Sequence, residues 1–533
     1  MTTPSTTVYK CADGTDFPVE WHVPEHMNAR WAWNGNHFPK PVTPFDTATG
    51  WMTEGSAQRA YRDADIPHWI NHALVPNGFK YVNRIRLSNE QQAVDDARVQ
   101  RFIDSMGGIL AVWDDYCQPR TEEQCNWVRS AGDDTPTVDL LDAFGYGFHM
   151  TMVSARTVAI AFKQFTDFLS AEFGSDAENL AIELTTGQMN ETVMADQVLW
   201  EVAQLARHSD SLKNVIIATE PRQMLDAISK IDGRTEFLAA FDDYGQRYGS
   251  RLTTWETAAP LVREQPEVSL SFIQNVISND VTAPLEIQRG VLNAAEELAV
   301  DMEDRLGADD EKQAKFRALL KEAKPLVSVR ENRAYWQLQA YGSLRTAILP
   351  RGQRLVDADA IEIVEDIFFL EPEEIDQYLA QSGSSAKKLV EQRRKEWEFW
   401  STKTPPQFVD KGVATTQPEP ETEVVSDKVL RGVGASKGLV TGPARVITDL
   451  SEATSFQSGE ILVCMMTSPP WTILFTKAAA IVTETGGVLS HASIASREYG
   501  LPCVAAVRNA TSSIKSGTLI TVDGTEGTVT IED

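Results

Sequence analysis

Apolar residues recur at helical spacing through the middle of the chain. A spacing of three or four residues places such side chains on one face of an α-helix. Two segments show the pattern most clearly: Met194, Val198, Val202 and Leu205 in the first, and Ile287, Val291, Ala294 and Leu298 in the second. The pattern predicts a mainly helical domain that spans residues 1–400.

A different pattern begins at Val429, where short runs of β-branched residues alternate with glycine turns. The strings GVGASKGLVTGPARVI and GTLITVDGTEGTVTIED are typical, and they predict a compact α/β domain over residues 429–533. Residues 401–428 combine proline, threonine and acidic residues with almost no apolar periodicity, as a flexible linker does. The expected fold is therefore multidomain, with a mainly α domain followed by an α/β domain.

Three shorter segments have less regular patterns. Residues 17–44 are dense in Trp, His and Pro, which predicts an irregular, aromatic-rich segment. The string YVNRIRL from Tyr81 predicts a strand. A long helix that begins near RENRAYW is expected to end in a turn and a short strand from Asp366 to Leu370.

Composition narrows the classes of function. The formal net charge of −27 argues against nucleic acid as a partner, because a polyanion would be repelled on average. The five cysteines are scattered and form no CxxC pair, which is typical of reduced thiols in a cytoplasmic protein. No apolar run is long enough for a membrane span, and the N-terminal residues lack a signal-peptide pattern. The sequence predicts a soluble, cytoplasmic protein without a membrane partner.

The most informative stretch is TETGGVLSHASIASREYG, which starts at Thr483. We expect the strand AAAIVT to end near Thr483 and a helix to run from Ser490 to Tyr499. His491 then lies in the first helical turn, where free backbone N–H groups and the helix dipole favour a phosphoryl group. A capping or metal-binding histidine is the alternative. No metal site is predicted, because Glu498, the nearest further ligand, lies on another helix face.

The residues around His491 have the chemistry that a phosphorylated imidazole needs. Gly486 and Gly487 allow the backbone to come close, and Thr483 and Ser490 supply hydroxyl groups. A neutral imidazole is also nucleophilic near pH 7, so it can carry a phosphoryl group covalently.

The string TETGGVLSHASIASREYGLPCV strongly resembles the signature of the mobile domain of phosphoenolpyruvate-utilising enzymes. The resemblance covers about the last hundred residues and includes GVGASKGLVTGPARV, MMTSPPWT and VDGTEGTV. It implies a swivelling β/β/α phosphohistidine domain in which His491 is the phosphorylated carrier. It also implies which residues frame that histidine: Thr483, Gly486, Gly487, Ser490 and Arg497.

The helical domain contains weaker candidates for catalytic and substrate-binding residues. In YGSRLTTWE, Arg251 and Glu256 could converge on a phosphoryl group and its acceptor, or belong to a surface ion-pair network. Trp33 and His37 could line an aromatic substrate pocket, or pack ordinarily. His149, in GYGFHM, could act as a base beside the substrate or be a core histidine.

Five arginines at mostly helical separations predict a basic face on the long helix. The face is either solvated or a docking surface for a phosphorylated loop. Its members are Arg330, Arg333, Arg345, Arg351 and Arg354.

The upstream region is similar to the substrate domain of rifampin (rifampicin) phosphotransferases and related dikinase-like enzymes. The strings that carry this resemblance are NGNHFPKPVTPF, YGSRLTTWE and RENRAYW. It implies that residues 1–400 bind the substrate and that Arg251 and Glu256 act in catalysis.

An ATP-grasp domain precedes the substrate domain in such enzymes, and this sequence starts at the substrate domain without a P-loop. The split phenylphosphate and 4-methylphenyl phosphate synthases are similar in this respect. The resemblance implies a hetero-oligomer in which a separate ATP-grasp subunit binds ATP and Mg²⁺, with no cofactor on this chain. The expected function is dikinase-type phosphorylation of a phenol such as p-cresol, at the start of aromatic compound degradation. The alternatives are an antibiotic (rifampin-like) phosphotransferase component and a phosphocarrier or regulatory protein without its own substrate.

Overall fold

A computed structural model describes most of the 533-residue chain. The described residues are 5–23, 26–27, 29–35, 37–49, 54–67, 71–84, 88–174, 177–279, 281–381, 383–410 and 428–532. One prediction falls partly outside them, because residues 411–427 of the predicted linker are not among the described residues.

The region before the C-terminal domain is mostly helical, as predicted. Its helices are α1 (Pro44–Thr47), α2 (Glu54–Asp63), α3 (Asn89–Met106), α4 (Ile109–Ala111), α5 (Gln118–Ser130), α6 (Thr137–Phe173), α7 (Ala177–Thr185), α8 (Glu191–Arg207), α9 (Asp210–Ala218), α10 (Pro221–Ser229), α11 (Thr235–Tyr248), α12 (Pro266–Ser278), α13 (Pro284–Arg305), α14 (Asp310–Ala323), α15 (Leu326–Asp357), α16 (Pro372–Ala380) and α17 (Lys387–Ser401).

Two long helices, α6 and α15, form the centre of this region. They pack against each other and against α5, and aromatic rings fill the contact: the ring centroids of Phe144 and Tyr341 are 4.8 Å apart. Both helices follow a proline, Pro136 or Pro325, which is compatible with a helix start because the missing N–H is not needed there. Helix α15 therefore runs through the core, and its first turns reach the C-terminal domain.

The two helices predicted from apolar spacing are α8 and α13, and both are confirmed. On α8, however, the buried face is displaced from the predicted one. Val202 is buried as expected, but Met194 is only partly buried and Ala195 and Leu199 are buried instead. Neighbouring helices pack against α8 on several sides, so the apolar spacing alone does not fix the buried face.

The N-terminal segment is more regular than predicted. It forms a two-stranded sheet and a four-stranded sheet of order β4-β5-β3-β6. The strands are β1 (Ser5–Lys10), β2 (Asp16–Trp21), β3 (Trp31–Trp33), β4 (Asn71–Leu74), β5 (Tyr81–Arg84) and β6 (Phe408–Val409). The expectation of an irregular segment over residues 17–44 is thus wrong for β2 and β3. Short strands tolerate the flanking prolines because those prolines lie at sheet edges or outside the ladders.

The first part of the predicted linker is structured rather than extended. Helix α17 ends at Ser401, and β6 then pairs with β3, with Val409 opposite Trp31 and Phe408 opposite Ala32. Val409 is buried, and the guanidinium of Arg30 lies 3.7 Å from the ring centroid of Phe408. Apolar and cation–π contacts therefore fix this end of the segment to the N-terminal sheet.

The short strand predicted from Asp366 to Leu370 is wrong. Val364–Phe369 form a 3₁₀-helix, in which the Asp366 carboxylate accepts hydrogen bonds from the backbone N–H groups of Glu362 and Ile363 at 3.0 and 3.1 Å. Capping by an acidic side chain favours a helical turn.

The C-terminal domain is built on one eight-stranded sheet of order β7-β14-β13-β9-β10-β11-β12-β8. Strands β9 to β12 are parallel neighbours and form its buried centre, whereas the pairs at both ends are antiparallel. Its elements are β7 (Val429–Arg431), β8 (Val433–Ser436), β9 (Leu439–Val446), β10 (Ile461–Cys464), α18 (Thr472–Phe475), β11 (Ala480–Thr483), α19 (His491–Glu498), β12 (Cys503–Ala505), α20 (Ala510–Ser513), β13 (Leu519–Asp523) and β14 (Thr528–Ile531). The predicted fold class is confirmed.

Across the described ranges, no helix combines the length and the apolar composition that crossing a bilayer requires.

Candidate functional site

His491 is the first residue of α19, directly after the loop that follows β11. Strand β11 is buried between β10 and β12, so its carboxyl end lies at the centre of the sheet edge. The Ser490 side chain caps the helix by accepting a hydrogen bond from the backbone N–H of Ser493. Local sequence thus fixes the histidine at a helix N-terminus, where backbone N–H groups favour an anion.

Further hydrogen bonds hold the loop between β11 and α19. Ser493 Oγ donates to the carbonyl of Gly487 at 2.7 Å, and Arg497 Nη1 donates to the carbonyl of Val488 at 2.7 Å. Thr483 Oγ1 donates to the carbonyl of Thr485 at 2.9 Å. Thr483 and Arg497 therefore support the loop backbone from inside the domain. Neither residue lines the cavity that His491 lines.

Gly486 is required by the shape of the loop, because its φ is +112° and an added Cβ would lie 2.8 Å from Ser490 Oγ. We expect Gly486→Ala to destabilise the C-terminal domain by about 1–3 kcal/mol through backbone strain and this clash. Thermal unfolding of the full chain measures the effect.

Gly487→Ala is the matched control, because an added Cβ at Gly487 meets nothing within 4 Å and the residue does not have a left-handed φ. It should change the melting temperature much less. Equal effects of the two substitutions would contradict the strain argument.

His491 contacts the helical region through its Nδ1 atom, which lies 2.7 Å from Oε2 of Glu331 on α15. Only 8% of the His491 side chain and 3% of the Glu331 side chain are exposed. A carboxylate at this position favours the tautomer in which Nδ1 carries the proton, so the free electron pair lies on Nε2. Nε2 is buried and has no hydrogen-bond partner among the described residues.

The imidazole lines a cavity of about 580 Å³ between its loop and α15. Gly486, Gly487 and Ser490 line the cavity on one side, and Arg330 and Arg333 line it on the other. Two guanidinium groups thus share one cavity with the unpartnered nitrogen of His491.

Neither arginine forms a salt bridge in the part of the chain that the structure describes, although the carboxylate of Glu331 lies within electrostatic range of both. Arg333 donates only to the sulfur of Met152, at 3.3 Å, and Arg330 forms no ion pair there. The pKa of Arg333 is lowered to about 10, first by burial and then by the nearby charge of Arg330, while the charge of Glu331 opposes the shift. Burial also lowers the pKa of Arg330. Two partly desolvated guanidinium groups that form no salt bridge with a described residue can both bind the oxygens of a phosphoryl group.

A second cavity, of about 400 Å³, adjoins the first. Both are lined by His37, Trp255, Met466 and Thr467. Most of its remaining wall is apolar and aromatic, with these rings: Phe368, Phe369, Trp397 and Trp471. Its size and its mainly apolar wall are typical of a pocket for a small organic molecule.

Glu256 lies in the wall of this aromatic cavity. Its carboxylate accepts no hydrogen bond from a described residue. The pKa of Glu256 is raised to about 8, first by desolvation and then by the charge of Asp46, while Lys80 and Lys40 oppose the shift. A carboxyl group with a pKa near 8 is suited to proton transfer with a hydroxyl at neutral pH.

The C-terminal domain lies against the helical region around α19. The hydroxyl of Tyr499 donates to the buried carboxylate of Asp196 on α8. Lys477 Nζ donates to Ser271 Oγ on α12 at 2.6 Å. These contacts hold the loop of His491 against the two cavities.

Glu498 crosses the same interface from the last turn of α19. Its carboxyl group accepts hydrogen bonds from Asn190 Nδ2 at 3.3 Å and Gln288 Nε2 at 3.4 Å. Burial raises the pKa of Glu498 to about 8, and the charge of Glu331 raises it further. Glu498 is therefore mainly protonated at neutral pH, which avoids a second buried charge beside Glu331.

Arg251 lies behind this site rather than in it. Its Nε donates to the carbonyl of Tyr248 at 3.0 Å, and its guanidinium stacks 4.9 Å from the ring centroid of Tyr335. The side chain is 2% exposed and lines a separate small cavity with Asp196. The structure therefore does not bring Arg251 to the wall that His491 lines, and Arg330 and Arg333 occupy that wall instead.

The three other candidates of the helical domain have different positions. His37 lines both cavities, and its ring lies edge-on to Trp255 at 5.2 Å between centroids. Trp33 packs against Phe79 and lines neither cavity. His149 is buried within α6, away from both cavity walls.

The predicted basic face of the long helix is wrong for two of its five arginines. Arg345 is buried and pairs with Glu264 at 3.0 Å, and Arg351 is buried and donates to the carbonyls of Gly132 and Thr135. Helix α15 lies in the core, so side chains on several of its faces meet protein rather than water.

Glu331 was missed by the sequence analysis. The available signal is the string VRENR, which places Arg330, Glu331 and Arg333 within one turn of an otherwise apolar helix start. Burying charged side chains at such a helix start is unfavourable in free energy unless they have a functional or structural partner.

The described residues include no group of three or more His, Cys, Asp or Glu side chains that could hold a metal ion.

Two family models match the chain. Residues 456–527 match the family "PEP-utilising enzyme, mobile domain", and this range includes the loop of His491. Residues 148–331 match the family "Rifampicin phosphotransferase fourth domain", and this range ends at Glu331.

Several curated proteins are similar to large parts of the chain. An uncharacterized phosphotransferase, YvkC, of Bacillus subtilis is 29% identical over 66% of this chain and 43% of its own length. A rifampicin phosphotransferase of Streptomyces sviceus is 30% identical over 62% of this chain and 39% of its own length. A chondramide synthase, cmdD, of Chondromyces crocatus is 25% identical over 97% of this chain and 14% of its own length. The chain thus spans less than half the length of these relatives. It contains a PEP-utilising enzyme mobile domain and, before it, a rifampicin phosphotransferase-type domain.

Proposed function

We propose that this chain is the phosphocarrier and acceptor-binding part of a phosphotransferase. His491 carries a phosphoryl group on Nε2 and passes it to the hydroxyl of a small molecule in the aromatic cavity. The observation that carries the proposal is the shared wall of two cavities, one with the buried, unpartnered Nε2 and the other with aromatic rings and Glu256.

The phosphoryl donor in this proposal is an ATP-grasp subunit that binds ATP and Mg²⁺. The C-terminal domain carries His491 to that partner and back to the position described above. The resemblance to the split aryl phosphate synthases supports this part. We expect the chain to remain unlabelled with labelled ATP and Mg²⁺ alone, and to gain label when such a subunit is added.

The transfer step needs positioning and charge neutralisation more than covalent chemistry. The acceptor oxygen attacks phosphorus, the bond between phosphorus and Nε2 breaks, and its electron pair returns to Nε2. Arg330 and Arg333 stabilise the charge on the phosphoryl oxygens, and Glu331 keeps the proton on Nδ1. The hydroxyl proton passes to the carboxylate form of Glu256, which is the minor form at neutral pH and becomes more populated as the pH approaches 8.

The acceptor that we propose is a phenol such as p-cresol, because aromatic rings line the cavity and a phenolic proton suits a base with a raised pKa. A second candidate is an antibiotic or other bulky alcohol, as the name rifampicin phosphotransferase suggests for the relatives. The volume of about 400 Å³ favours this second class, because pockets of this size hold drug-sized ligands.

A single-turnover experiment tests the proposal without the partner. Potassium phosphoramidate phosphorylates imidazoles directly, and ³¹P NMR follows the resulting phosphohistidine in the full chain. After removal of the reagent, p-cresol and rifampicin are added in parallel. We expect the phosphohistidine signal to decay as the matching phosphate ester appears.

If only inorganic phosphate forms with p-cresol and with rifampicin, the result would count against both proposed classes of acceptor. Stable phosphohistidine without any transfer would instead favour a carrier or regulatory protein that lacks its own substrate.

A further inference from the structure

Two buried residues behind the aromatic cavity, Asp46 and Lys80, have no role in the chemistry described so far. We propose that they are positioning residues for Glu256: Asp46 fixes the backbone that carries it, and the charges of Asp46 and Lys80 together set its protonation state. The inference deepens the proposed function and rests on it for the role of Glu256 as proton acceptor.

Asp46 holds the chain directly after Glu256. Its Oδ1 accepts a hydrogen bond from the backbone N–H of Thr257 at 2.9 Å, and its Oδ2 accepts one from Ala258 at 3.1 Å. Asp46 is fully buried on α1, more than two hundred residues away in sequence. Because both oxygens bind consecutive N–H groups, the turn at Glu256 has one orientation relative to the cavity.

Lys80 lies just before β5 and is 1% exposed. Its Nζ is 3.5 Å from Thr49 Oγ1 and 4.1 Å from the ring centroid of Phe38. It forms no ion pair within the described ranges, although a buried ammonium is costly without one. Burial lowers the pKa of Lys80 to about 8, and the charges of Asp46 and Glu256 oppose this shift.

The surroundings of Glu256 contain charges of both signs. Asp46 and Asp449 raise its pKa, and Lys80 and Lys40 lower it. The phenol of Tyr341 also lies within electrostatic range. The other titratable groups in the wall of the cavity are His37, Glu365 and Arg394. Of the two lysines, only Lys80 is fully buried, so solvent screens its effect least.

These charges have opposite effects on proton transfer. Without Lys80, the carboxylate form of Glu256 loses a favourable cation, and Glu256 should become deprotonated only at higher pH. Without the charge of Asp46, a repelling anion is lost, and Glu256 should become deprotonated at lower pH. A structural role in packing alone would not produce shifts of opposite sign.

The test is a direct titration of Glu256 in the full, unphosphorylated chain. The protein is labelled with [δ-¹³C]glutamate, and a difference spectrum against Glu256→Gln identifies the resonance. We expect a midpoint near pH 8 in the parent chain. Lys80→Met should raise that midpoint, and Asp46→Asn should lower it, each by on the order of one pH unit.

Lys80→Arg is the conservative control and should not raise the midpoint, since arginine stays charged throughout the titration. If Asp46→Asn does not fold, Lys80→Met against Lys80→Arg decides the question. An unshifted midpoint in Lys80→Met, or shifts of the same sign in both charge-removing variants, would overturn the inference. The titration uses no acceptor, so absence of phosphoryl transfer would count against the proposed function and not against this result.

Discussion

We expect His491→Ala to abolish phosphoryl transfer, with a fall in the single-turnover rate of at least about 10⁴-fold. The substitution removes the nitrogen that forms the covalent bond to phosphorus. Measurement is by ³¹P NMR after treatment with phosphoramidate, followed by addition of p-cresol or rifampicin. The phosphohistidine that supports transfer should be missing.

His208→Ala is the matched control, because His208 is exposed at the end of α8 and is far in sequence from the loop of His491. It should lose only the label that phosphoramidate places on His208 itself and still transfer fully. A phosphate ester formed at the parent rate by His491→Ala would refute the carrier role.

Removal of the two cavity arginines should have the second-largest effect. We expect Arg330→Ala and Arg333→Ala each to lower the transfer rate by about 10²–10³-fold, because each guanidinium stabilises charge on the phosphoryl oxygens at a partly desolvated site. The rate is measured by the same single-turnover assay at saturating acceptor. Lysine at either position should restore part of the loss, since it keeps the charge but not the bidentate geometry.

Arg354→Ala is the control on the same helix, because Arg354 donates to the carbonyl of Asp133 and does not line the cavity. Its transfer rate should stay close to that of the parent chain. The melting temperatures should separate function from folding: removing one arginine relieves its repulsion with the other but also removes an attraction to Glu331, so the stability of the unphosphorylated chain should change little. A large loss of stability in either variant would indicate a structural role instead.

Much of the loop around His491 could be predicted from sequence because its signals are local. The cap of α19 joins Ser490 to Ser493, and the left-handed φ of Gly486 belongs to a turn that ends four residues later. Such contacts depend on neighbouring residues, and residue type at a fixed spacing is enough to recognise them.

Less could be predicted about the helical region. Arg251 and Glu256 are five residues apart, and the family resemblance implied a catalytic role for both. In the structure, Glu256 lines the aromatic cavity, whereas Arg251 lines a separate cavity together with Asp196. Spacing in an irregular segment does not determine side-chain direction, because no helical or strand period applies there.

By itself, the sequence determined the mainly helical region, the C-terminal α/β domain and the position of His491 at the start of a helix. The tertiary structure alone decided what that histidine meets. Glu331 binds it from 160 residues away. Lys80 and Asp46 act on Glu256 from another part of the chain. Contacts of this kind follow from packing of distant elements, and the local patterns that specify each element carry no information about its neighbours.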